Sequence, residues 1–262
     1  MGIMERQTLG TYGMNTLLST VDLSVGYGAS PLVMQVGLQL HAGELVALIG
    51  VNGGGKSTML NTLAGLHAPL AGTISVQGEL LATLSAAERA RHLAIVFTGR
   101  PQAGLLDVRS VVALGRQPWT GHFGRLTNND LRLVDDAMDL LDVSAFAERS
   151  LQRLSDGEAQ RVMIARALAQ DTPILLLDEP MAFLDLVNRS RLLGTLRKLA
   201  RDHQKAVLFS THDIHSARHS CDRIFLIHDQ RLWCGTPSEL RSSGILKKVF
   251  VAEGLDFDLF EK

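Results

Sequence analysis

The run Gly50-Val51-Asn52-Gly53-Gly54-Gly55-Lys56-Ser57-Thr58 has the composition and spacing that phosphate chemistry asks for. A polyphosphate needs many donors converging in a small volume. Glycines let the backbone approach closely, and a helix that follows aims its N-terminal N–H groups at the anion. In such a loop Lys56 reaches the β and γ phosphates of a nucleoside triphosphate, and Ser57 offers its hydroxyl to Mg2+. A glycine-rich turn that binds nothing is the alternative, and the strand-to-helix context of the full pattern argues against it.

Further along, Ile174-Leu175-Leu176-Leu177-Asp178-Glu179 ends an apolar run on two carboxylates. Charge at the end of a buried strand is costly unless it has a task or a partner. In phosphate-loop enzymes the strand-end Asp holds Mg2+, so Asp178 takes that role, with a capping ion pair as the plain alternative. His212, in Ser210-Thr211-His212-Asp213, ends the next apolar run. Between these segments, Leu154-Ser155-Asp156-Gly157-Glu158 carries Ser-x-x-Glu, a capping box in which each side chain satisfies a backbone donor at a helix start. His212, His215, His219 and Cys221 also lie close together, but a metal there would compete with a phosphate for His212, and a solvated helix face is the better reading.

The phosphate loop, Leu154 to Glu158 and Ile174 to Glu179, in that order, resemble an ABC-type ATPase, the motor subunit of ATP-binding-cassette transporters. The resemblance runs from Leu17 to about Phe250. It implies ATP and Mg2+ as ligands and a homodimer in which Ser155, Asp156, Gly157 and Glu158 of one copy face the nucleotide of the other. It implies that Gly50, Asn52, Gly53, Gly54, Gly55, Lys56, Ser57 and Thr58 bind ATP, and that Tyr27 stacks on the adenine. It makes Glu179 the group that polarises the attacking water, His212 a contact to the γ-phosphate, and Asp185, in Leu184-Asp185, a bridge between subunits. Ser57 and Asp178 are the implied metal ligands.

Three positions depart from the family pattern. Asp156 and Glu158 stand where relatives carry Gly and Gln. Glu158 keeps the capping function and both acids suit the helix dipole, but at about 8 Å from a phosphate charge, with an effective dielectric near 20, each would repel it by roughly 2 kcal/mol. Asp156 is therefore expected to point away, leaving the contact to Ser155 and the Gly157 amide. Thr98 stands where relatives carry a Gln that touches Mg2+ and the attacking water. Two routes are open: the Thr98 hydroxyl acts through a water, or Gln102 substitutes from the loop.

These residues must be held by a scaffold. Residues 44–50, 92–97, 173–178, 205–211 and 223–227 read as buried, mostly parallel strands, and 56–66, 129–141, 155–169 and 186–202 as helices. That alternation specifies an α/β fold, a P-loop NTPase (RecA-like) core. Residues 17–39 and 72–78 alternate in short pieces and suggest an antiparallel β subdomain, while a helical subdomain is expected at about 99–168, mainly helical from 99 to 153. Residues 1–16 read as a flexible tail, 17–250 as one ATPase domain and 251–262 as a C-terminal tail.

Composition restricts the setting. The 26 Lys plus Arg nearly balance the 27 Asp plus Glu, so no global field favours nucleic acid, and none is expected as partner. Cys221 and Cys234 read as reduced thiols rather than a disulfide framework. No apolar run approaches the roughly 18 residues of a membrane span. Val112-Ala113-Leu114-Gly115-Arg116-Gln117-Pro118-Trp119-Thr120-Gly121 is similar to a segment of importer ATPases for iron-siderophore, haem and cobalamin, although periodicity alone reads it as an amphipathic helix ended by Pro118. The resemblance then implies an integral membrane permease as direct partner and a periplasmic or extracellular substrate-binding protein as an indirect one. The place of work would be the cytoplasmic face of the membrane. A soluble ABC ATPase of iron-sulfur assembly, and an ATP-gated interaction module that hydrolyses weakly, are the alternatives.

Overall fold

The structure, a computed structural model, describes residues 15–99, 106–121 and 124–252. In chain order the elements are β1 (Thr16–Tyr27), β2 (Ser30–Val36), β3 (Gln39–His41), β4 (Leu45–Gly50), α1 (Lys56–Leu63), β5 (Ala71–Val76), β6 (Glu79–Leu80), α2 (Ala86–His92) and β7 (Leu93–Val96). Then come α3 (Val108–Ala113), a 3-10 segment (Leu114–Trp119), α4 (Asn128–Leu140), α5 (Asp156–Ala169), β8 (Ile174–Leu177) and α6 (Leu186–Asp202). The chain continues with β9 (Ala206–Thr211), α7 (Ile214–Ser220), β10 (Arg223–His228), β11 (Arg231–Gly235), α8 (Pro237–Ser242) and α9 (Ile245–Ala252). β1 begins within the stretch expected to be an N-terminal tail, at Thr16. Among the described residues no helix is long and apolar enough to cross a membrane.

The central sheet has the order β11-β10-β4-β9-β8-β7, parallel except for the edge strand β11. Its inner strands are apolar along most of their length, β8 at all four positions and β9 from Ala206 to Phe209, because both faces are covered. Alternate side chains serve different cores. Leu45, Ala47, Ile49, Leu175, Leu177, Val207 and Phe209 join the core under α3, α4, α5 and α6. Val46, Leu48, Ile174, Leu176, Ala206 and Leu208 join a second core with Met59, Leu60 and Leu63 of α1 and the second sheet. That second sheet, β2-β1-β5-β6 with β3 also on β1, is antiparallel throughout its pairings.

Two helix boundaries differ from expectation. α1 stops at Leu63 instead of Leu66, because the chain turns at Gly65, whose φ of 71 lies in the left-handed region open to glycine. The segment from Val112 to Pro118 is not one amphipathic helix: α3 ends at Ala113 and tightens into the 3-10 segment, which contains Pro118. Gly115 explains the change. A Cβ there would stand 2.1 Å from the Arg166 carbonyl oxygen, so the backbone passes directly against α5. Arg116 then donates to the Ala169 carbonyl at the end of α5 (2.8 Å) and pairs with Asp130 of α4, and the Trp119 indole N–H donates to the Gln170 carbonyl (2.7 Å). Arg91 of α2 lies over the Trp119 ring at 5.5 Å and donates to the Pro118 carbonyl at 3.0 Å. The segment thus clasps the end of α5 to α2 and α4, with Gly115, Arg116 and Trp119 all committed within the chain.

Candidate active site

Parallel registry brings the chemistry to one edge. Ile49 pairs with Thr211, Leu177 with Phe209 and Val96 with Leu177, so the residues just past each strand meet at the carboxyl ends. This is where ligands bind in open parallel sheets. The phosphate loop leaves β4 there and runs into α1. Gly53 and Gly55 take φ of 78 and 98, and a Cβ on Gly53 would meet nothing within 4 Å, leaving the outer side of the loop open to a ligand. Gly55 has the opposite constraint, since its Cβ would press on Leu32 at 3.1 Å.

Lys56 is buried, and its Nζ donates to the carbonyls of Gly50 (2.8 Å) and Val51 (3.2 Å). Burial lowers the pKa of its ammonium from the ordinary lysine value, and the carboxylates of Glu179 and Asp178 act against that shift. The three residues therefore share one field although Lys56 lies far from the other two in sequence.

Asp178 is buried beyond β8, and one of its carboxylate oxygens accepts from the Ser210 hydroxyl at 2.6 Å. Glu179 follows at φ 46, a left-handed conformation unusual for a residue with a side chain. Its N–H donates to Ser210 Oγ at 2.8 Å, and its carboxylate lies 3.1 Å from His212 Nδ1. His212 is exposed at 62% of its side chain, while Glu179 is at 18%. A carboxylate poised beside a solvent-facing imidazole is a proton-accepting arrangement. The exposed Ser57 hydroxyl and the Asp178 carboxylate offer an oxygen-only donor set, which fits a hard cation such as Mg2+.

The Thr98 hydroxyl donates to the Asp178 carbonyl at 2.9 Å. Its proton thus braces the strand end, and Gln102 lies outside the described residues. Tyr27 is 56% exposed, its ring meets His67 edge to face at 5.6 Å, and its hydroxyl accepts from Thr58 Oγ1 at 3.4 Å. The aromatic face proposed for a base therefore stands beside the helix that carries the phosphate loop.

Ser155 caps α5 in the expected box, with Glu158 accepting from both Ser155 N and Ser155 Oγ at 2.8 Å. The Ser155 backbone N–H is the main cause holding the Glu158 carboxyl below its ordinary range. The hydroxyl assigned to a phosphate is thus donated inside its own helix. Asp156 is exposed and lines a cavity of about 70 Å³ with Gly99, Ala159, Gln160 and Phe183. Gly157 sits close against the loop before α6, since a Cβ would lie 3.0 Å from the Phe183 carbonyl oxygen. Asp185 caps α6, accepting from Asn188 N and Nδ2 at 2.8 Å each.

Removing the added charge tests the electrostatics of this helix start. Asp156→Gly is expected to tighten ATP-dependent dimerisation by about 5- to 30-fold, the span from a screened to an unscreened repulsion of roughly 2 kcal/mol. Analytical ultracentrifugation with a non-hydrolysable ATP analogue measures it, and an unchanged dimer constant would remove the repulsion argument.

Residues 33–182 match the ABC transporter family. The chain belongs to that family. It is an ATPase cassette, and its fold is shared with solved cassettes. A dimeric ATP-binding cassette in a post-hydrolysis state, bound to ADP and phosphate, is 27% identical with a TM-score of 0.75, covering 84% of this chain and 99% of that one. The iron(3+)-hydroxamate import ATP-binding protein of Bacillus subtilis is 37% identical over 238 residues, 90% of this cassette and 88% of the relative. The cobalamin import ATP-binding protein of Halobacterium salinarum is 38% identical over 243 residues, which are 91% of this cassette and 61% of that longer relative.

Sequence reading missed Ser210. The signal was present: a small polar residue directly after the apolar run Ala206 to Phe209 and two residues before His212, which the structure buries completely.

Proposed function

We propose that this cassette is the motor of an importer for an iron chelate, haem or cobalamin, working as a two-fold homodimer under a membrane permease at the cytoplasmic face. The observation that carries the motor reading is the meeting of Lys56, Asp178 and the Glu179–His212 pair at the carboxyl edge of the sheet. Importer function and cargo class are supported by relatives that import cobalamin and iron(3+)-hydroxamate and match about nine-tenths of this chain.

In this reading Gly50, Asn52 to Gly55 and Thr58 cradle the triphosphate of ATP, Lys56 turns from the loop carbonyls to the phosphates, and Tyr27 stacks on the base. Ser57 and Asp178 would hold Mg2+, which would supply charge screening at the phosphates. Glu179 accepts the proton of the attacking water, and His212 orients Glu179 and faces the γ-phosphate. Ser155, with the Gly157 amide, faces the nucleotide of the second copy, which requires its hydroxyl to exchange Glu158 for phosphate. Asp185 lies near the two-fold contact. Closure around two ATP molecules and reopening after hydrolysis would drive the permease, and a substrate-binding protein would deliver cargo from the other side. The donation of Ser155 to Glu158 favours one second reading, an ATP-gated module that hydrolyses weakly.

Reconstitution separates them. Co-expressed with its permease partner, the cassette is expected to turn over ATP in Mg2+ at least about 100-fold faster than a Glu179→Gln control, and to drive uptake of labelled ferric siderophore, haem or cobalamin into vesicles. Turnover at the control rate would favour the gated module, and ATP turnover with no uptake of any of the three would remove the cargo assignment.

A further inference from the structure

We infer that Ser210 is the positioning residue that sets Asp178 and Glu179 as one unit, an inference that rests on the ATPase reading above. A hydroxyl offers one donor and two acceptor sites, and Ser210 uses it on both carboxylate residues at once. It donates to Asp178 Oδ1 at 2.6 Å, a short charge-assisted bond, and accepts the Glu179 N–H at 2.8 Å. The registry of β8 against β9 makes this possible, because Leu177 pairs with Phe209 and the next residue on each strand meets the other. On the other side of β8, the Asp178 backbone is held by Val96, which accepts its N–H at 2.8 Å, and by Thr98. Ser210 is what grips the side chain from β9.

The same bond explains how Glu179 stays at φ 46. A left-handed residue with a side chain persists only where its surroundings hold it, and here the peptide N–H is pinned to a fully buried oxygen. With that peptide fixed, the Glu179 carboxylate reaches His212 at 3.1 Å. Removing the Ser210 hydroxyl strands a carboxylate oxygen and an N–H together, and frees the orientation of the metal-facing and water-facing groups at one stroke. The phosphate loop, on β4, keeps its own contacts.

The test therefore compares metal binding with nucleotide binding. Ser210→Ala is expected to weaken Mn2+ binding to the complex with a non-hydrolysable ATP analogue, followed by electron paramagnetic resonance, by about 10- to 100-fold, and to lower kcat on a similar scale. Binding of a fluorescent ATP analogue in EDTA should change by less than about 3-fold, and Ser210→Thr should restore both losses to within about 3-fold. Should Ser210→Ala fail to fold, Ser210→Cys, whose thiol is a longer and weaker donor, is expected to bind Mn2+ at least about 3-fold more weakly than the unaltered chain, and wild-type affinity there would overturn the inference. Wild-type Mn2+ affinity in Ser210→Ala would overturn the inference, as would an equal loss of metal-free nucleotide binding. Absence of Mg2+-dependent hydrolysis in the unaltered chain would overturn the ATPase reading instead, and the Mn2+ arm would still report on Ser210.

Discussion

Glu179→Gln is expected to lower ATP turnover by about 10² or more, the scale of a lost general base, while retaining ATP and trapping the closed dimer. The amide has the same shape as the carboxylate and still hydrogen-bonds His212 Nδ1, now 3.1 Å from the acid, so the geometry past β8 survives. What it cannot do is accept a proton from water. Glu179 is also the larger of the two carboxylate influences that offset the desolvation of Lys56. Its neutralisation lowers the lysine pKa further, but Asp178 remains and the ammonium stays bound to the loop carbonyls or to phosphate. Single-turnover hydrolysis with radiolabelled ATP, run beside a binding isotherm, separates the two effects. Turnover within a few-fold of the unaltered chain would show that the water is activated elsewhere.

Arg116→Ala is expected to cost about 3–5 kcal/mol of folding stability at pH 7, the range for breaking a buried ion pair from one side. Arg116 Nε lies 2.8 Å from Asp130 Oδ1, with side-chain exposures of 7% and 8%. Truncation leaves the Asp130 charge buried, removes the donor to the Ala169 carbonyl and takes a guanidinium from beside the Trp119 ring. The Asp130 carboxyl is held down at about 2, by the Thr127 hydroxyl and N–H first and by Arg116 after them. A pKa depressed on folding stabilises the native state above the unfolded value, 3.8, and that contribution is lost as pH falls toward about 2. The deficit of the variant should therefore be largest at neutral pH and shrink in acid below about pH 4. Urea unfolding at pH 7 and pH 3 measures both, and a deficit under about 1 kcal/mol at pH 7 would show that the site relaxes to admit water.

The same clasp changes how the Val112 to Gly121 segment is understood. In this chain the segment serves packing, since Gly115, Arg116 and Trp119 are spent on tying α5 to α2 and α4. The segment thereby anchors the C-terminal end of α5.

Much of the fold was legible because its signals are local. The runs at β4, β8 and β9 are apolar at consecutive positions, and a strand can be so only if both faces are buried. The capping box at Ser155 was legible because its partners are three residues apart, within reach of one helical turn. The end of α1 was missed by three residues, because periodicity continues past the turn that Gly65 makes.

By itself the sequence determined the two-sided sheet, the phosphate loop and the two carboxylates past β8, since each is written in residues adjacent along the chain. Only the tertiary structure decided how distant residues meet. Strand registry put Ser210 between Asp178 and Glu179, and helix packing put Arg116 on Asp130. A one-residue slip in registry reverses which face each side chain takes, and nothing in the local pattern around Ser210 specifies which oxygen it will meet on a strand more than thirty residues away.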